Sequence, residues 1–316
     1  MPRTRPGRPP AQGMVWIPGG RFLMGSDHHY PEEAPAHQVQ VEGFWMDRTP
    51  VTNAQFQKFV KATGHVTLAE LPADPADYPD ALPERLAPSS IVFVPPGGPI
   101  GLGDPYQWWQ YVPGANWRHP EGPGSSIKGL ENHPVVHVAH GDAQAYATWA
   151  GKLLPSEAEW ERAAWGGLEG VDYAWGEDLH PGGRPLANTW QGTFPHQNSK
   201  LDGWERTSPV GSFPANGYGL LDMIGNVWEW TDDWYQEHRE RMVPEDGGCC
   251  ESVQRLRSVD RASQHGSIPR KAVKGGSFLC APNYCQRYRP AARLAQGIDT
   301  STCHMGFRCI VRVPTG

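Results

Sequence analysis

Glycine and proline interrupt this chain so often that it has no room for long helices or extended sheets. The 316 residues include 37 glycines and 32 prolines, and both residue types end or distort regular elements. We therefore expect short helices and strands joined by ordered loops, with the 14 tryptophans supplying much of the buried area. This pattern argues against a helical bundle or a doubly wound sheet.

Composition, charge and hydropathy limit the domain organisation and the partners that this chain can have. No linker divides the sequence, so we predict one domain over residues 14–316. Residues 1–13 are basic and proline-rich without an apolar core for secretion, so we predict a disordered tail there. The net charge of −6 offers no basic surface to nucleic acid, and no window approaches the ~18 apolar residues of a membrane span. We therefore expect a cytoplasmic protein that binds neither nucleic acid nor membrane.

Hydrophobic patterns and capping signals place short elements in the first part of the chain. Two alternating apolar runs over 14–25, on either side of a Pro-Gly-Gly turn, predict a β-hairpin. Residues 39–46 predict a third strand. Thr52 and Gln55 form a capping-box pattern, which predicts a helix that ends at Gly64.

The later elements are separated by loops. Residues 69–129 are rich in Pro, Gly and Asp, which predicts either a functional loop system or a partly mobile segment. Helical spacing returns over 143–150, and a second capping box at Ser156 and Glu159 predicts another short helix. Two further strand-like runs occupy 220–231 and 273–279.

Two cysteines that are five positions apart are the first candidates for chemistry. Pro282 and Asn283 lie between Cys280 and Cys285 and favour a turn, which would bring the two sulfurs close together. Two soft thiolates suit Cu(I), whereas zinc requires about two more ligands that no neighbouring motif provides. Three arginines that would favour thiolate over thiol follow directly: Arg287, Arg289 and Arg293. Two buried thiols or a disulfide would explain the same spacing.

Oxygen-rich segments form the second set of candidates. Asp222 and Glu229 bracket a glycine and several backbone carbonyls, a set of hard ligands that calcium prefers. An ordinary strand with solvated acids is the alternative. Asn188 and Asp202 could serve a second oxygen site.

The histidines carry less weight than either candidate. His133 and His137 have HxxxH spacing, but the Pro-Val-Val between them favours an extended segment over a helical face. We interpret these two, with His140 and His304, as satisfied core or surface histidines. No HExxH, GxGxxG, GxxxxGK[ST] or GxSxG motif is present, so zinc-peptidase, nucleotide-binding and serine-hydrolase chemistry have no support.

A series of short motifs runs along residues 14–312. Near the C-terminus it comprises GGSFLC at 275–280, NYC at 283–285, RYR at 287–289, AAR at 291–293 and GFRC at 306–309. Earlier in the chain it includes IPGG at 17–20, VTN at 51–53, HPV at 133–135, LPSEAEWE at 154–161 and GNVWEW at 225–230. In kind and order, these motifs resemble those of the aerobic formylglycine-generating enzymes of the sulfatase-modifying factor family. The resemblance implies a loop-rich, single-domain α+β fold with little regular structure, related to C-type lectins.

The resemblance also implies an activity. Cys280 and Cys285 would bind Cu(I), and the cysteine of an unfolded Cys-x-Pro-x-Arg segment of a sulfatase would enter as a third thiolate. With O2 and a thiol reductant, that cysteine would become Cα-formylglycine, which activates type I sulfatases after translation. The family builds its oxygen pocket from residues that match Trp228, Ser277 and Tyr284. We expect a monomer.

Two structural calcium ions are usual in this family. The first would use the side chains of Asn188 and Asp202 with the carbonyls of Thr189 and Trp204. The second would use the side chains of Asp222 and Glu229 with the carbonyls of Gly225 and Val227. Asp222 departs from the asparagine that relatives often carry, but it would keep an oxygen ligand.

Several features remain open in the sequence. Cys249 and Cys250 match no family motif, and a surface loop is expected there. Cys303 and Cys309 are either buried thiols or a disulfide.

The extended substrate needs a groove, and the loops around Trp108 and Trp117 are predicted to form its wall. A non-catalytic module that binds peptide or carbohydrate is the rival hypothesis, and the retained cysteines, Ser277 and Trp228 favour the enzyme. An iron-dependent sulfoxide synthase would need a histidine-rich ligand set, which is missing here.

Overall fold

The regular elements of this protein are short, as the density of glycine and proline predicts. The structure is a computed structural model that describes residues 7–76, 78–79, 81–238, 251–260 and 268–313. The strands are β1 (Met14–Ile17), β2 (Gly20–Met24), β3 (His37–Val41), β4 (Phe44–Asp47), β5 (Ser89–Phe93), β6 (Trp109–Pro113), β7 (Trp228–Trp234), β8 (Arg270–Lys274), β9 (Arg293–Gly297), β10 (Met305–Gly306) and β11 (Ile310–Arg312). The α-helices of the described ranges are α1 (Asn53–Thr63), α2 (His140–Trp149), α3 (Glu157–Trp165) and α4 (Glu251–Arg257).

The predicted hairpin over 14–25 is wrong, because β1 and β2 pair with other strands. β1 pairs with β4 and β2 pairs with β3, both antiparallel. The Pro-Gly-Gly segment is therefore a kink in a long two-stranded ribbon, and the predicted third strand is split at Gly43. A Cβ on Gly19 would lie 2.6 Å from the Gly43 nitrogen, so only glycine lets the two kinked segments cross.

The two predicted capping boxes are confirmed. Thr52 Oγ1 accepts a hydrogen bond from the Gln55 amide, the Gln55 side chain bonds back to the Thr52 amide, and Gly64 ends α1 in the left-handed region at φ 72°. Ser156 and Glu159 make the same reciprocal bonds at the start of α3. These helices form where predicted because their end signals are local.

A four-stranded sheet in the order β10-β7-β8-β9 supports the C-terminal motifs. The strand predicted over 220–231 begins only at Trp228, because Asp222 and Asn226 have positive φ and hold the preceding residues in a loop. The strand predicted over 273–279 ends at Lys274. Gly275 and Gly276 follow with φ of 95° and 70°, which turns the chain toward the cysteine pair.

The stretch over 69–129 is more regular than its composition suggests, since it contains the antiparallel hairpin of β5 and β6. Trp108 and Trp117 are only 0% and 1% exposed, so these rings belong to the core, and the groove predicted along the loops around them stays a prediction. Residues 1–6 of the predicted tail, and Cys249 with Cys250, lie outside the described residues. No helix in the described ranges is long and apolar enough to cross a bilayer.

Candidate active site

The predicted turn between the two cysteines is present. The amides of Tyr284 and Cys285 both donate to the Ala281 carbonyl, at 3.1 and 2.9 Å. Pro282 and Asn283 therefore occupy the second and third positions, where proline presets φ and asparagine is tolerated. The turn folds the two cysteines back toward each other.

The two sulfurs face each other across this turn. Cys280 Sγ and Cys285 Sγ are 3.2 Å apart, and both residues are free thiols. A linear two-coordinate metal needs roughly 4.6 Å between its sulfurs, so the thiols must move apart by about 1.4 Å to bind one. Cys280 is buried and Cys285 is partly exposed. A visiting group therefore reaches the pair from the Cys285 side.

The pair is electrostatically asymmetric. The hydrogen bond from the Cys280 thiol, helped by the amide and guanidinium of Arg287, lowers the pKa of Cys285 to about 6. Burial, together with the hydrogen bond to Cys285, raises the pKa of Cys280 well above its usual value. The two shifts have opposite directions, so they favour a thiolate on Cys285 over one on Cys280.

Only one of the three downstream arginines serves the thiolate. Arg287 Nη1 lies 4.0 Å from Cys285 Sγ. The prediction for Arg289 and Arg293 is wrong, because each is held in a buried ion pair. These pairs join Arg289 Nη1 to Glu33 Oε2 at 2.8 Å and Arg293 Nε to Glu157 Oε1 at 2.6 Å.

Of the three predicted oxygen-pocket residues, Ser277 and Tyr284 lie beside the cysteine pair, and Trp228 belongs to the same buried cluster as Cys280. The buried Ser277 donates its amide to Cys280 Sγ at 3.4 Å. Trp228 packs in the same buried cluster as Cys280. Tyr284 is 37% exposed and stacks on Phe194, with ring centroids 4.3 Å apart. The turn thus presents one exposed aromatic ring beside the thiols.

In the first predicted calcium segment, one carboxylate accepts hydrogen bonds from two backbone amides. Asp202 accepts hydrogen bonds from the amides of Thr189 (3.1 Å) and Trp204 (3.0 Å), so the structure brings these three residues together. Burial raises the pKa of Asp202. Asn188 lies beside them, with its Nδ2 donating to the Arg206 carbonyl at 2.8 Å.

The second predicted calcium segment brings two carboxylates close together. Burial raises the pKa of Asp222 to about 6, and the charge of Glu229 adds to the shift. Glu229 is already paired with buried Arg308, through bonds of 2.7 Å to each of its oxygens. Gly225 and Val227 lie between the acids, and the Asn226 amide donates to the Asn188 carbonyl at 2.8 Å, which links the two segments.

The metal-binding potential of these segments depends on backbone oxygens. Within the described ranges, no three His, Cys, Asp or Glu side chains converge closely enough to hold a metal ion. Each calcium segment offers two oxygen-bearing side chains and neighbouring carbonyls, which suits calcium better than a transition metal.

His133 and His137 both hydrogen-bond to oxygen atoms of the protein. His137 bonds to Ser90 Oγ at 2.7 Å and to the Pro120 carbonyl at 2.8 Å, while His133 bonds to Thr207 Oγ1 at 3.0 Å. These hydrogen bonds confirm the interpretation of both residues as satisfied histidines. Neither residue lies on a helix, as the Pro-Val-Val between them predicts. His140 is buried, but its Nε2 makes no hydrogen bond and lies 3.7 Å from Asp232 Oδ1.

Sequence reasoning missed the contribution of the N-terminal region to this site. Glu32 binds Arg287, with Oε1 2.9 Å from Nε, and the Tyr30 ring lies 3.8 Å from the centre of the same guanidinium. More than 250 positions separate these partners in the sequence, so no local pattern joins them.

Residues 2–313 match the sulfatase-modifying factor enzyme 1-like domain, and the chain therefore belongs to this family. It is 54% identical over 303 residues to the formylglycine-generating enzyme of Mycobacterium tuberculosis, covering 96% of this chain and 99% of the relative. The enzyme of the same name from Thermomonospora curvata is 47% identical, with 95% and 93% covered.

The fold has solved counterparts. PvdO from Pseudomonas aeruginosa superposes with a TM-score of 0.58 at 25% identity, covering 95% of this chain and 94% of that one. The predicted loop-rich α+β fold is confirmed.

Proposed function

We propose that this chain oxidises one cysteine of a sulfatase polypeptide to Cα-formylglycine, with O2 as oxidant and Cu(I) held by Cys280 and Cys285. Family membership and 54% identity to a formylglycine-generating enzyme support the reaction. The metal assignment rests on a single observation, the 3.2 Å approach of two free sulfurs.

The residues present fit a monovalent soft metal. Two thiols favour Cu(I) over harder ions, and in the described ranges no further His, Cys, Asp or Glu completes a group of three. Low coordination leaves room for a third thiolate at the partly exposed Cys285. Bound there, Cu(I) would supply the one-electron chemistry that activation of O2 requires.

The chain's own residues orient the substrate and exclude water. Cys285 carries the exposed sulfur, so the substrate thiol approaches beside it and beside the Tyr284 ring. Ser277 donates its amide to Cys280 Sγ and Trp228 belongs to the same buried cluster as Cys280, so both would help to keep bulk water from the inner side of the pair.

Atoms and electrons balance in this reaction when two thiol molecules act as the reductant. The substrate loses its Cβ–S bond and gains a C=O bond, which is a two-electron oxidation. O2 accepts four electrons, so two thiols supply the other two as they form a disulfide. The other products are the aldehyde, hydrogen sulfide and water.

Further assignments belong to the same proposal. Asn188, Asp202, Thr189 and Trp204 would hold one structural calcium ion, and Asp222, Glu229, Gly225 and Val227 a second. A reducing compartment such as the cytoplasm is the proposed location of the protein. The free thiols that support it are Cys280, Cys285, Cys303 and Cys309. The protein would act as a monomer.

A direct assay tests the reaction. The purified chain, loaded with Cu(I), is incubated in air with a thiol reductant and a Cys-x-Pro-x-Arg peptide, and mass spectrometry follows conversion of the thiol to the aldehyde. We expect conversion by the wild type and none by Cys280→Ser or Cys285→Ser, because each loses a soft ligand.

Cys303→Ser is the matched control. Cys303 is also a buried free thiol, but it accepts a bond from the Phe93 amide instead of facing Cys280, so this variant should keep activity. Full turnover by either site variant would discard the copper mechanism. Peptide binding without any conversion by the wild type would support the rival hypothesis of a non-catalytic module.

A further inference from the structure

We propose that Arg287 is a positioning residue that lets the cysteine pair hold Cu(I) as an anionic thiolate complex, and that Glu32 sets the strength of this effect. The inference rests on the proposed function, because it takes Cys280 and Cys285 as the copper ligands.

The charge of such a complex creates the need for a cation. One Cu(I) with two thiolates carries a net charge of −1, and entry of the substrate thiolate makes it −2. The surroundings of Cys280 are apolar and buried, so this charge is poorly solvated from the inner side. A fixed positive charge near the sulfurs stabilises the complex.

Arg287 is the cation in place for this purpose. Its Nη1 lies 4.0 Å from Cys285 Sγ, whereas Arg289 and Arg293 are held by buried glutamates. The Tyr30 ring covers the guanidinium at 3.8 Å, and Tyr30 Oη accepts a bond from the Gln286 amide at 3.1 Å. The guanidinium is therefore fixed beside the sulfur before any metal arrives.

Glu32 modulates this charge from the other side. Its Oε1 accepts from Arg287 Nε at 2.9 Å, which both orients the guanidinium and offsets part of its charge. The two roles have opposite consequences for copper. If only the orientation of the guanidinium matters, removing either Glu32 or Arg287 weakens Cu(I) binding. If the positive charge of Arg287 matters, removing the negative charge of Glu32 does not weaken Cu(I) binding.

The experiment measures Cu(I) affinity without turnover. Wild type and variants compete anaerobically with a chromophoric Cu(I) chelator, and thermal melting checks the fold of each protein. We expect Arg287→Met, and the second neutral variant Arg287→Gln, to weaken Cu(I) binding by roughly tenfold or more. Arg287→Lys should recover most of the affinity, because it keeps the charge.

Glu32→Gln is the matched variant that separates charge from clamping. Gln retains an oxygen that accepts from Arg287 but has no negative charge, so we expect Cu(I) binding at least as tight as that of the wild type. In steady-state assays the neutral Arg287 variants should also raise KM for the thiol peptide more than they lower kcat, since the third thiolate adds charge.

Three results would overturn the inference. The first is a folded neutral Arg287 variant that binds Cu(I) as tightly as the wild type. The second is an equal loss of Cu(I) affinity in Arg287→Met and Glu32→Gln. The third is an Arg287→Lys variant that binds Cu(I) no better than Arg287→Met. A wild-type protein that binds no Cu(I) would instead overturn the proposed function itself, so the two failures are distinguishable.

Discussion

At the residue scale, the two cysteines of one turn have different chemistry. Cys280 is buried and Cys285 is partly exposed, and the pKa of Cys285 is lowered while that of Cys280 is raised. The guanidinium of Arg287 lies 4.0 Å from the partly exposed sulfur of Cys285. The turn thus separates a buried sulfur from a partly exposed one.

This asymmetry predicts the pH dependence of alkylation in the metal-free protein. The pKa of Cys285 is lowered to about 6, so the reactive thiolate is lost as the pH falls through 6 and is complete above about 7. Iodoacetamide should therefore label Cys285 with a midpoint near pH 6 and leave Cys280 largely unlabelled, as peptide mapping can measure. A midpoint near the ordinary thiol pKa of about 8.5 would contradict the assignment.

A second prediction concerns the buried Lys274. Its Nζ lies 2.7 Å from Glu161 Oε2, and neither side chain is exposed, while Glu161 Oε1 accepts from the Gly25 amide at 2.7 Å. Lys274→Met leaves an uncompensated buried carboxylate, so we expect a loss of about 3–5 kcal/mol in the free energy of unfolding. Chemical denaturation measures the loss.

Arg312→Met is the control for that variant. Arg312 pairs with Glu159 at 2.7 Å, but its side chain is 47% exposed, so its loss should cost less than about 1 kcal/mol. Equal costs for the two variants would show that burial does not set the strength of the Lys274 pair.

At the scale of the elements, the site depends on how β8 ends. Gly275 and Gly276 follow Lys274 with positive φ, and they turn the chain from the sheet into the cysteine segment. A Cβ on Gly276 would lie 2.8 Å from the Arg287 carbonyl. The glycine pair therefore sets the distance between the Cys280 segment and the arginine-containing segment that follows it.

Gly276→Ala should for this reason damage both stability and copper binding. The substitution adds the strain of a positive φ and a clash with backbone that cannot yield cheaply, so we expect a loss of about 2–3 kcal/mol in the free energy of unfolding and weaker Cu(I) binding. Gly64→Ala is the matched control, because Gly64 has a similar φ of 72° but nothing within 4 Å of an added Cβ.

The control should lose only about 1 kcal/mol in the free energy of unfolding and bind Cu(I) as the wild type does. Denaturation curves and chelator competition supply the two measurements. Wild-type copper affinity in Gly276→Ala would show that the glycine turn does not position the thiols.

At the scale of the whole molecule, distant segments hold the site together. Residues 30–33 supply Glu32 to Arg287 and Glu33 to Arg289, so the N-terminal part of the chain secures the C-terminal motif. The two predicted calcium segments are joined in the same way, through the Asn226 amide and the Asn188 carbonyl. Stability and activity are therefore expected to be coupled.

Calcium removal tests this coupling. A ligand that binds only the native state stabilises it by about 2.7 kcal/mol at a concentration of 100 Kd, so chelation with EGTA should lower Tm and added Ca²⁺ should restore it. Asp222→Asn keeps an oxygen ligand and should respond like the wild type, whereas Asp222→Ala should respond less. An unchanged Tm on chelation would count against both sites.

Local signals explain how much of the fold could be predicted. The capping boxes at Thr52 and Ser156, and the turn at Pro282 and Asn283, form as predicted because their hydrogen bonds close within a few residues. The family motifs placed Ser277 and Tyr284 beside the cysteines for the same reason, since all four lie within nine residues of sequence.

Apart from the strand bounds at Trp228 and Lys274, which local turns set, the wrong predictions concern choices between distant partners. The ribbon that replaced the hairpin over 14–25 depends on which strand packs beside β1, and the burial of Trp108 depends on the aromatic rings of Phe194 and Tyr284. The cysteine turn and the helix ends follow from local sequence alone. Long-range packing selects the arginine that faces the thiolate. Buried ion pairs, which no local pattern encodes, hold Arg289 and Arg293 elsewhere and leave Arg287 at the sulfur.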